Sequence, residues 1–211
     1  MSIADRDKWD ARYREGAYAT RTYPGVYLEQ QISSHPTLNR GRALDIACGA
    51  GRNAIYLAQQ GFDVDAVDVS SVGLERAQAQ ASAMNITCRW ICADLDSDAL
   101  PDLSYDLIIM FRFVAPTLMP QMIERLAPGG MIIVEQHLQW PDPVAGPTSQ
   151  RFRCPPGTLE PSLTKAGLEV LHAYEGLVTE PDGVQAALAQ ITARSRHPES
   201  DTTMNSINAK K

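Results

Sequence analysis

The seventeen residues ALDIACGAGRNAIYLAQ, 43 to 59, constrain this chain more than any others. A short apolar run rich in small residues passes Asp45, places Gly49 and Gly51 two positions apart, and turns at once into an amphipathic run. A buried strand that feeds a helix through a glycine-rich turn brings backbone close to a ligand, and the start of the helix adds unpaired N–H groups. The turn therefore predicts both a layered α/β fold and a binding site at one edge of its sheet.

The rest of the chain repeats that alternation. RDKWDARYREG, with Trp9 and Tyr13 one turn apart, and YPGVYLEQQISSHP read as helices ahead of the sheet. RALDIAC, FDVDAVDVS, TCRWICADL, YDLIIMF and MIIVEQHL read as strands. Between them RNAIYLAQQG, SVGLERAQAQASAMN and LMPQMIERLAPGG read as helices, closed by Gly61, Asn85 and a Pro-Gly-Gly turn. Such βαβ units cross over right-handed and build a doubly wound parallel sheet. Residues 139–157 break the rhythm with five prolines, and a loop of that length inside a domain is usually functional, often a cover over a site. After a short helix near TLEPSLTKAG, the runs LEVLHAYEGLV and VQAALAQITARSR are joined by TEPDG, close enough only for an antiparallel hairpin.

With 211 residues and 44% hydrophobic content, the chain supports one core, so residues 1–196 are expected to form one domain whose first 36 or so residues are a helical cover. HPESDTTMNSINAKK, 197–211, reads as a flexible polar tail. A net charge of −6 argues against nucleic acid as the main partner, since phosphate neutralisation needs a basic face. No apolar run approaches the roughly 18 residues that cross a bilayer, and the charged N-terminus is unlike a signal peptide, so no membrane partner and a cytoplasmic location are expected. Cys48, Cys88, Cys92 and Cys154 form no C-x-x-C pair and match no common zinc spacing; free thiols and no bound metal are expected.

Which ligand needs the turn is less constrained by the motif alone. Gly49-x-Gly51-x-x-Ala54 fits a dinucleotide fingerprint, and Asp68, seventeen residues after Gly51, stands near the place of a ribose-binding carboxylate. A nicotinamide-dependent reductase is therefore a competitor. Against it, Asp45 would repel a pyrophosphate and welcome an ammonium group, and Asp45, Asp68 and Asp94 put a carboxylate at three successive strand ends. Each carboxylate has a local alternative: Asp68 as a helix cap, Asp94 as a turn former, Asp45 as an acceptor for the turn's own N–H groups.

The combination LDIACGAGRN, GFDVDAVDVS, CADL, YDLII and LAPGGMIIVE resembles the class I S-adenosylmethionine-dependent methyltransferases, in particular the small tellurite-resistance-like branch with CGxGRN and an N-terminal W…RY…G, over roughly residues 7 to 195. The resemblance implies a Rossmann-like, seven-stranded, mostly parallel sheet with an antiparallel C-terminal hairpin. It implies S-adenosylmethionine as cofactor, S-adenosylhomocysteine as its product, and a small-molecule methyl acceptor such as a thiol or a chalcogen oxyanion. Asp45, Ala47, Gly49 and Gly51 would line the methionine part, Asp68 and Val69 the ribose, Asp94 and Leu95 the adenine, with Arg21 toward the methionine carboxylate or an anionic substrate. A non-catalytic cofactor-binding regulator is a further alternative, and either a monomer or a homodimer is compatible with the sequence.

Candidates facing the acceptor are Arg112 and Phe113 after the fourth strand, Glu135 and His137 after the fifth, and Arg151 and Phe152 in the long loop. His137 is attractive as a proton acceptor because an unperturbed imidazole titrates near neutrality, although a histidine at a strand end is often structural. Trp9, Tyr13 and Tyr18 are expected to form an aromatic cover or simply to pack an amphipathic helix on the sheet. The chain has Ala115-Pro116 where relatives of the branch often have His-Arg, Gln136-His137 where they have Thr-Phe, and no basic residue in TEPDGVQ.

Overall fold

The computed structural model describes residues 3–196; the predicted polar tail lies outside them. Seven strands form one sheet in the order β3-β2-β1-β4-β5-β7-β6. They are β1 (Arg42–Ile46), β2 (Asp63–Asp68), β3 (Arg89–Cys92), β4 (Tyr105–Phe111), β5 (Leu126–His137), β6 (Glu169–Thr179) and β7 (Gln185–Arg194). The first five strands pair in parallel, while β7 runs antiparallel to both β5 and β6. This is the predicted doubly wound sheet with a terminal hairpin.

Helices cover both faces: α1 (Ile3–Arg14), α2 (Val26–Ser34), α3 (Arg52–Gln59), α4 (Ser71–Ala83), α5 (Met119–Glu124) and α6 (Leu159–Lys165). The central strands are continuous apolar runs because both of their faces are buried. In β4, Ile108 and Met110 enter one core with Leu44, Ile46, Ile132 and Val134. Leu107, Ile109 and Phe111 enter the other with Ala43, Ile133, Leu57 and Tyr27. The same alternation along β1 sends Asp45 to the side of Ala43, toward the layer that holds α3.

Several helix ends fall where the sequence places them. Gly61 and Asn85 adopt left-handed φ of 92° and 55° just after α3 and α4, and Ile86 N–H returns to Ala81 O at 2.9 Å. One element differs. The helix expected over 118–130 ends at Glu124, and Leu126 already pairs with Tyr105 as the start of a twelve-residue β5. Pro128 has no N–H and disfavours helical backbone at the residue before it, so the turn collapses into an irregular extension of the strand. β3 is also shorter than predicted, ending at Cys92 before the turn that contains Asp94.

Chain direction positions the site. After β1, β2 and β3 step outward to one side, the chain returns to place β4 on the other side of β1. The connections leaving the carboxyl ends of β1 and β4 therefore diverge, and this switch point is where open α/β sheets hold ligands.

Candidate functional site

The turn between β1 and α3 is wound from left-handed residues: Ala47 at φ 57°, Gly49 at 58° and Gly51 at 78°. For alanine that conformation costs roughly 1–2 kcal/mol, a strain typical of segments held for function. The two glycines serve different ends. A Cβ on Gly49 would stand 2.4 Å from Tyr13 Oη, inside a cavity of about 670 Å³ that Gly49 helps to line. A Cβ on Gly51 would meet Ala77 Cβ at 2.6 Å and the Trp90 ring at 2.8 Å, so that residue lets α3 pack on α4 and β3 and stays behind the cavity wall.

Asp45 lies at the floor of this turn, 1% exposed, with Oδ2 making no hydrogen bond among the described residues. Burial, then the Asp68 carboxylate, push its pKa up to about 8, while Arg52 draws it back. A buried carboxyl oxygen without a donor is costly, and the group holds its proton at neutral pH. Asp68 is placed differently: Oδ2 accepts from Gly49 N–H at 2.8 Å and Oδ1 from Ser70 N–H at 2.9 Å. Burial raises its pKa and these backbone bonds oppose the rise. It ties the glycine turn to the start of α4, where Ser70 is the N-cap and receives Gly73 N–H at 3.0 Å. Each of its oxygens keeps a second lone pair, so this structural duty is compatible with a ligand at the same carboxylate.

α1 closes the cavity from above. Asp10 receives the Ser70 hydroxyl at 2.6 Å, and Arg76 Nη1 donates to Tyr13 O and Ala17 O at 3.2 and 3.0 Å. Trp9, Tyr13 and Tyr18 follow one another along this side as tilted rings with centroids 6.1 and 6.4 Å apart, and all three line the cavity. Burial, followed by the nearby Asp68 charge, pushes the Tyr13 phenol above its ordinary range, so it stays protonated.

The other half of the cavity gathers residues from four segments. Arg112, just past β4, has a left-handed φ of 59°. Its Nε donates to Glu135 Oε1 at 2.8 Å, its Nη2 pairs with Glu180, and Gln190 Nε2 donates to Glu135 Oε2 at 2.7 Å. Arg21 reaches Asp182 Oδ2 at 3.3 Å. The long loop is held by buried Arg153, which donates to Pro147 O at 2.8 Å, Leu138 O at 2.9 Å, Ala145 O at 3.3 Å and Val144 O at 3.5 Å. Ala145 bridges to Ala186 of β7 and Leu138 to Cys154, so the loop forms a braced wall. His137 faces the cavity, but its Nδ1 is buried without a partner among the described residues, against Gly146. Burial, then Arg112, Arg153 and Arg21, push its pKa down to about 3. The near-neutral titration expected from the sequence is corrected: this imidazole is neutral at physiological pH and a weak base.

A family model described as a methyltransferase domain matches residues 43–130, the stretch from β1 into β5 that contains the glycine turn, Asp45 and Asp68. A curated relative, ribosomal RNA small subunit methyltransferase C of Yersinia enterocolitica serotype O:8, is 34% identical over 104 residues, 44% of this chain and 30% of that protein. The chain thus spans less than a third of the length of the curated relatives it matches. Among solved structures, TehB from Haemophilus influenzae superposes with a TM-score of 0.66 at 20% identity, over 80% of this chain and 62% of that one. Magnesium protoporphyrin IX methyltransferase from Synechocystis PCC 6803, crystallised with S-adenosylmethionine, superposes with a TM-score of 0.64 at 16% identity, over 91% and 95%. The fold is that of the class I methyltransferases.

Asp45, Ala47, Gly49 and Asp68 meet around one cavity, which Arg21, Arg112, Phe113, His137 and Phe152 also line. Val69, Asp94 and Leu95 do not reach its wall. Val69 and Leu95 are buried, and Asp94 Oδ1 receives Asp96 N–H at 3.0 Å within its turn. Glu135 sits behind Arg112, and exposed Arg151 lies 3.6 Å from Asp5 and over the Phe152 ring. Sequence reasoning left Glu180 without a role; its only signal is an acidic residue in a hairpin turn, and the pairing with Arg112 is 68 residues distant.

Proposed function

We propose that the protein transfers a methyl group from S-adenosylmethionine to a small-molecule nucleophile. Methyltransferase domains of this family take that cofactor, and the observation that carries the reading here is Asp45. A buried carboxyl group with an unpartnered oxygen beside a left-handed glycine turn answers an ammonium group, which draws it into its ionised form, and in that form it disfavours a pyrophosphate. The same site thus fits the amino-acid end of the cofactor and fits a nicotinamide dinucleotide poorly. Arg52, the first residue of α3, has among the described residues only a 3.4 Å side-chain bond to Tyr23 O and is placed for the cofactor's carboxylate, while Asp68 retains acceptor capacity for the ribose hydroxyls.

When bound, the cofactor supplies an electrophilic methyl on a sulfonium. The chain's own residues bind, orient and exclude water. Trp9 and Tyr13 of α1, with Tyr18 just beyond it, cover one side, and the braced 139–157 loop covers the other with Pro147 and Phe152. His137 stays unprotonated and cannot donate a proton at neutral pH. The size of the cavity, about 670 Å³, and the acidic chain favour a small molecule over RNA as acceptor, although the matched curated relatives are named for ribosomal RNA.

Titration calorimetry with S-adenosylhomocysteine and NADH tests the reading. Binding of the first without the second is expected; binding of NADH alone would replace it with a reductase. A methyl-transfer screen over thiols, phenols, chalcogen oxyanions and small carboxylates then identifies the acceptor class.

A further inference from the structure

We propose that Lys8 and Arg12 of α1 read an anionic group on the methyl acceptor. The acceptor is then an organic acid whose carboxylate or other oxyanion stays at the mouth of the cavity while its uncharged body carries the nucleophile inward. The inference rests on the methyltransferase reading of the same cavity and names its substrate class.

Its basis is the way α1 sorts its charges. Asp5, Lys8, Trp9, Arg12 and Tyr13 line the cavity, a spacing of three and four residues that marks one face of the helix. Asp10 turns away from that face to accept the Ser70 hydroxyl at 2.6 Å, and Asp7 is absent from the lining. Asp5, the acid on the cavity face, lies 3.6 Å from Arg151. Lys8 and Arg12 have no carboxylate at ion-pair distance among the described residues. They stand one turn apart, where two like charges repel and weaken a helix unless an anion lies between them. Both are exposed and both line the cavity, which places them at its mouth.

Aromatic rings hold these two cations where carboxylates do not. Lys8 Nζ lies 5.3 Å from the centroid of Phe152 in the long loop, and the Arg12 guanidinium 4.9 Å from that of Trp9 and 5.7 Å from that of Tyr18. Such contacts fix a cation without neutralising it, and a guanidinium over a ring keeps N–H groups on its edge for the in-plane, two-point grip of a carboxylate.

The other charges of the cavity have partners or a different task. Arg21 pairs with Asp182, and Arg112 with Glu135 and Glu180. Asp68 accepts two backbone N–H groups, and His137 is neutral. Arg52 is buried at the glycine turn, beside Arg112, Glu135, Arg21 and Glu180, and the cofactor's carboxylate answers it on the reading above. The chain carries a net charge of −6, yet two uncommitted cations stand at the cavity mouth. A cleft whose sign opposes that of the surrounding surface gathers anions and focuses their approach. The positive sulfonium of the bound cofactor acts in the same direction.

The test uses the full chain saturated with S-adenosylhomocysteine and two matched pairs of probes, 4-hydroxybenzoate with 4-hydroxybenzamide and thioglycolate with thioglycolamide, titrated by calorimetry. At low salt the carboxylate of a pair is expected to bind about fivefold tighter than its amide, the scale of two exposed charge contacts, and the preference should fade at about 0.5 M salt. Lys8→Met combined with Arg12→Met, which keeps long side chains over the rings, should bring the carboxylate down to the amide and change the amide less than about twofold. Lys8→Arg combined with Arg12→Lys keeps both charges and should retain the preference. A merely structural role would lower the melting temperature or weaken both members of a pair together. Should the double methionine variant not fold, Lys8→Met and Arg12→Met decide singly, each reducing the preference about twofold. The proposal is overturned if the amides bind as tightly as the carboxylates, if neither pair binds, if the preference is indifferent to salt or survives the loss of both cations, or if no variant lacking these cations folds. S-adenosylhomocysteine binding, measured first, separates the two readings: a chain that does not bind it fails as a methyltransferase, whereas one that binds it and ignores the carboxylate fails this proposal alone.

Discussion

The two halves of the cavity solve opposite electrostatic problems. Around the glycine turn, polar groups are left unfinished: among the described residues Asp45 Oδ2 has no donor, and Arg52, which also feels the charges of Arg112, Glu135, Arg21 and Glu180, has no carboxylate at ion-pair distance. Around the ends of β4 and β5, the charges are already matched, Arg112 by Glu135 and Glu180 and Arg21 by Asp182. An unfinished site stores free energy that only a complementary ligand releases, whereas a finished one binds by shape and apolar area. The contrast predicts a cofactor half that is chemically strict and an acceptor half selected by form.

The largest break in that contrast is Gly49→Val. The position has φ 58° and its Cβ would meet Tyr13 Oη at 2.4 Å, so the variant should lose more than about 100-fold in S-adenosylhomocysteine affinity, with backbone strain of roughly 1–3 kcal/mol lowering the melting temperature as well. Retained affinity in calorimetry would show that the turn serves packing alone, as Gly51 does.

Asp68→Ala should come next. Losing a charged acceptor for a ligand hydroxyl should weaken cofactor binding by about 1.5–3 kcal/mol, and leaving Gly49 and Ser70 N–H groups without their acceptor should lower stability by about 1–3 kcal/mol. Equal S-adenosylhomocysteine affinity in a folded variant would restrict Asp68 to its structural duty.

Arg153→Leu acts on the other half. With four loop carbonyls released, residues 139–157 should become sensitive to limited proteolysis, and kcat/KM with the identified acceptor should fall roughly tenfold, the effect of about 1.4 kcal/mol of lost positioning. Cofactor affinity should stay within about twofold, on the usual additivity of sites that share no partners. An equal loss in both measurements would dissolve the distinction between the halves.

The smallest effect is a proton. Asp45 has its pKa raised to about 8, so between an unfolded carboxyl value and pH 8 the folded protein binds one more proton than the unfolded chain, and this group's contribution to stability falls as pH rises through that window. An ammonium ligand favours the ionised form, so S-adenosylhomocysteine should bind more tightly as pH rises from 6 to about 8 and should release a fraction of a proton at pH 7. Calorimetry in two buffers of different ionisation enthalpy measures that release, which Asp45→Asn should abolish. His137 has the opposite slope: with its pKa pushed down to about 3, it holds fewer protons than in the unfolded chain, and stability falls as pH drops below an ordinary imidazole value.

What the sequence by itself determined is local. The period of apolar runs, the glycine and asparagine helix ends and the strand–turn–helix at residues 43–59 are each written within about fifteen neighbours, and they suffice for the parallel order, the terminal hairpin and the place of Asp45, Gly49 and Asp68 at one sheet edge. Tertiary structure decided the rest. Nothing near Arg112 in the chain announces Glu180, and nothing near His137 announces the burial against Gly146 and, after it, the three arginines that keep it neutral. Gly49 and Gly51 look alike in sequence and differ only because Tyr13 approaches one and Trp90 the other. Backbone geometry follows short-range sterics, which neighbours in sequence carry; charge pairing and proton affinity follow distances in space, which exist only once four separate segments have converged on the ends of β4 and β5.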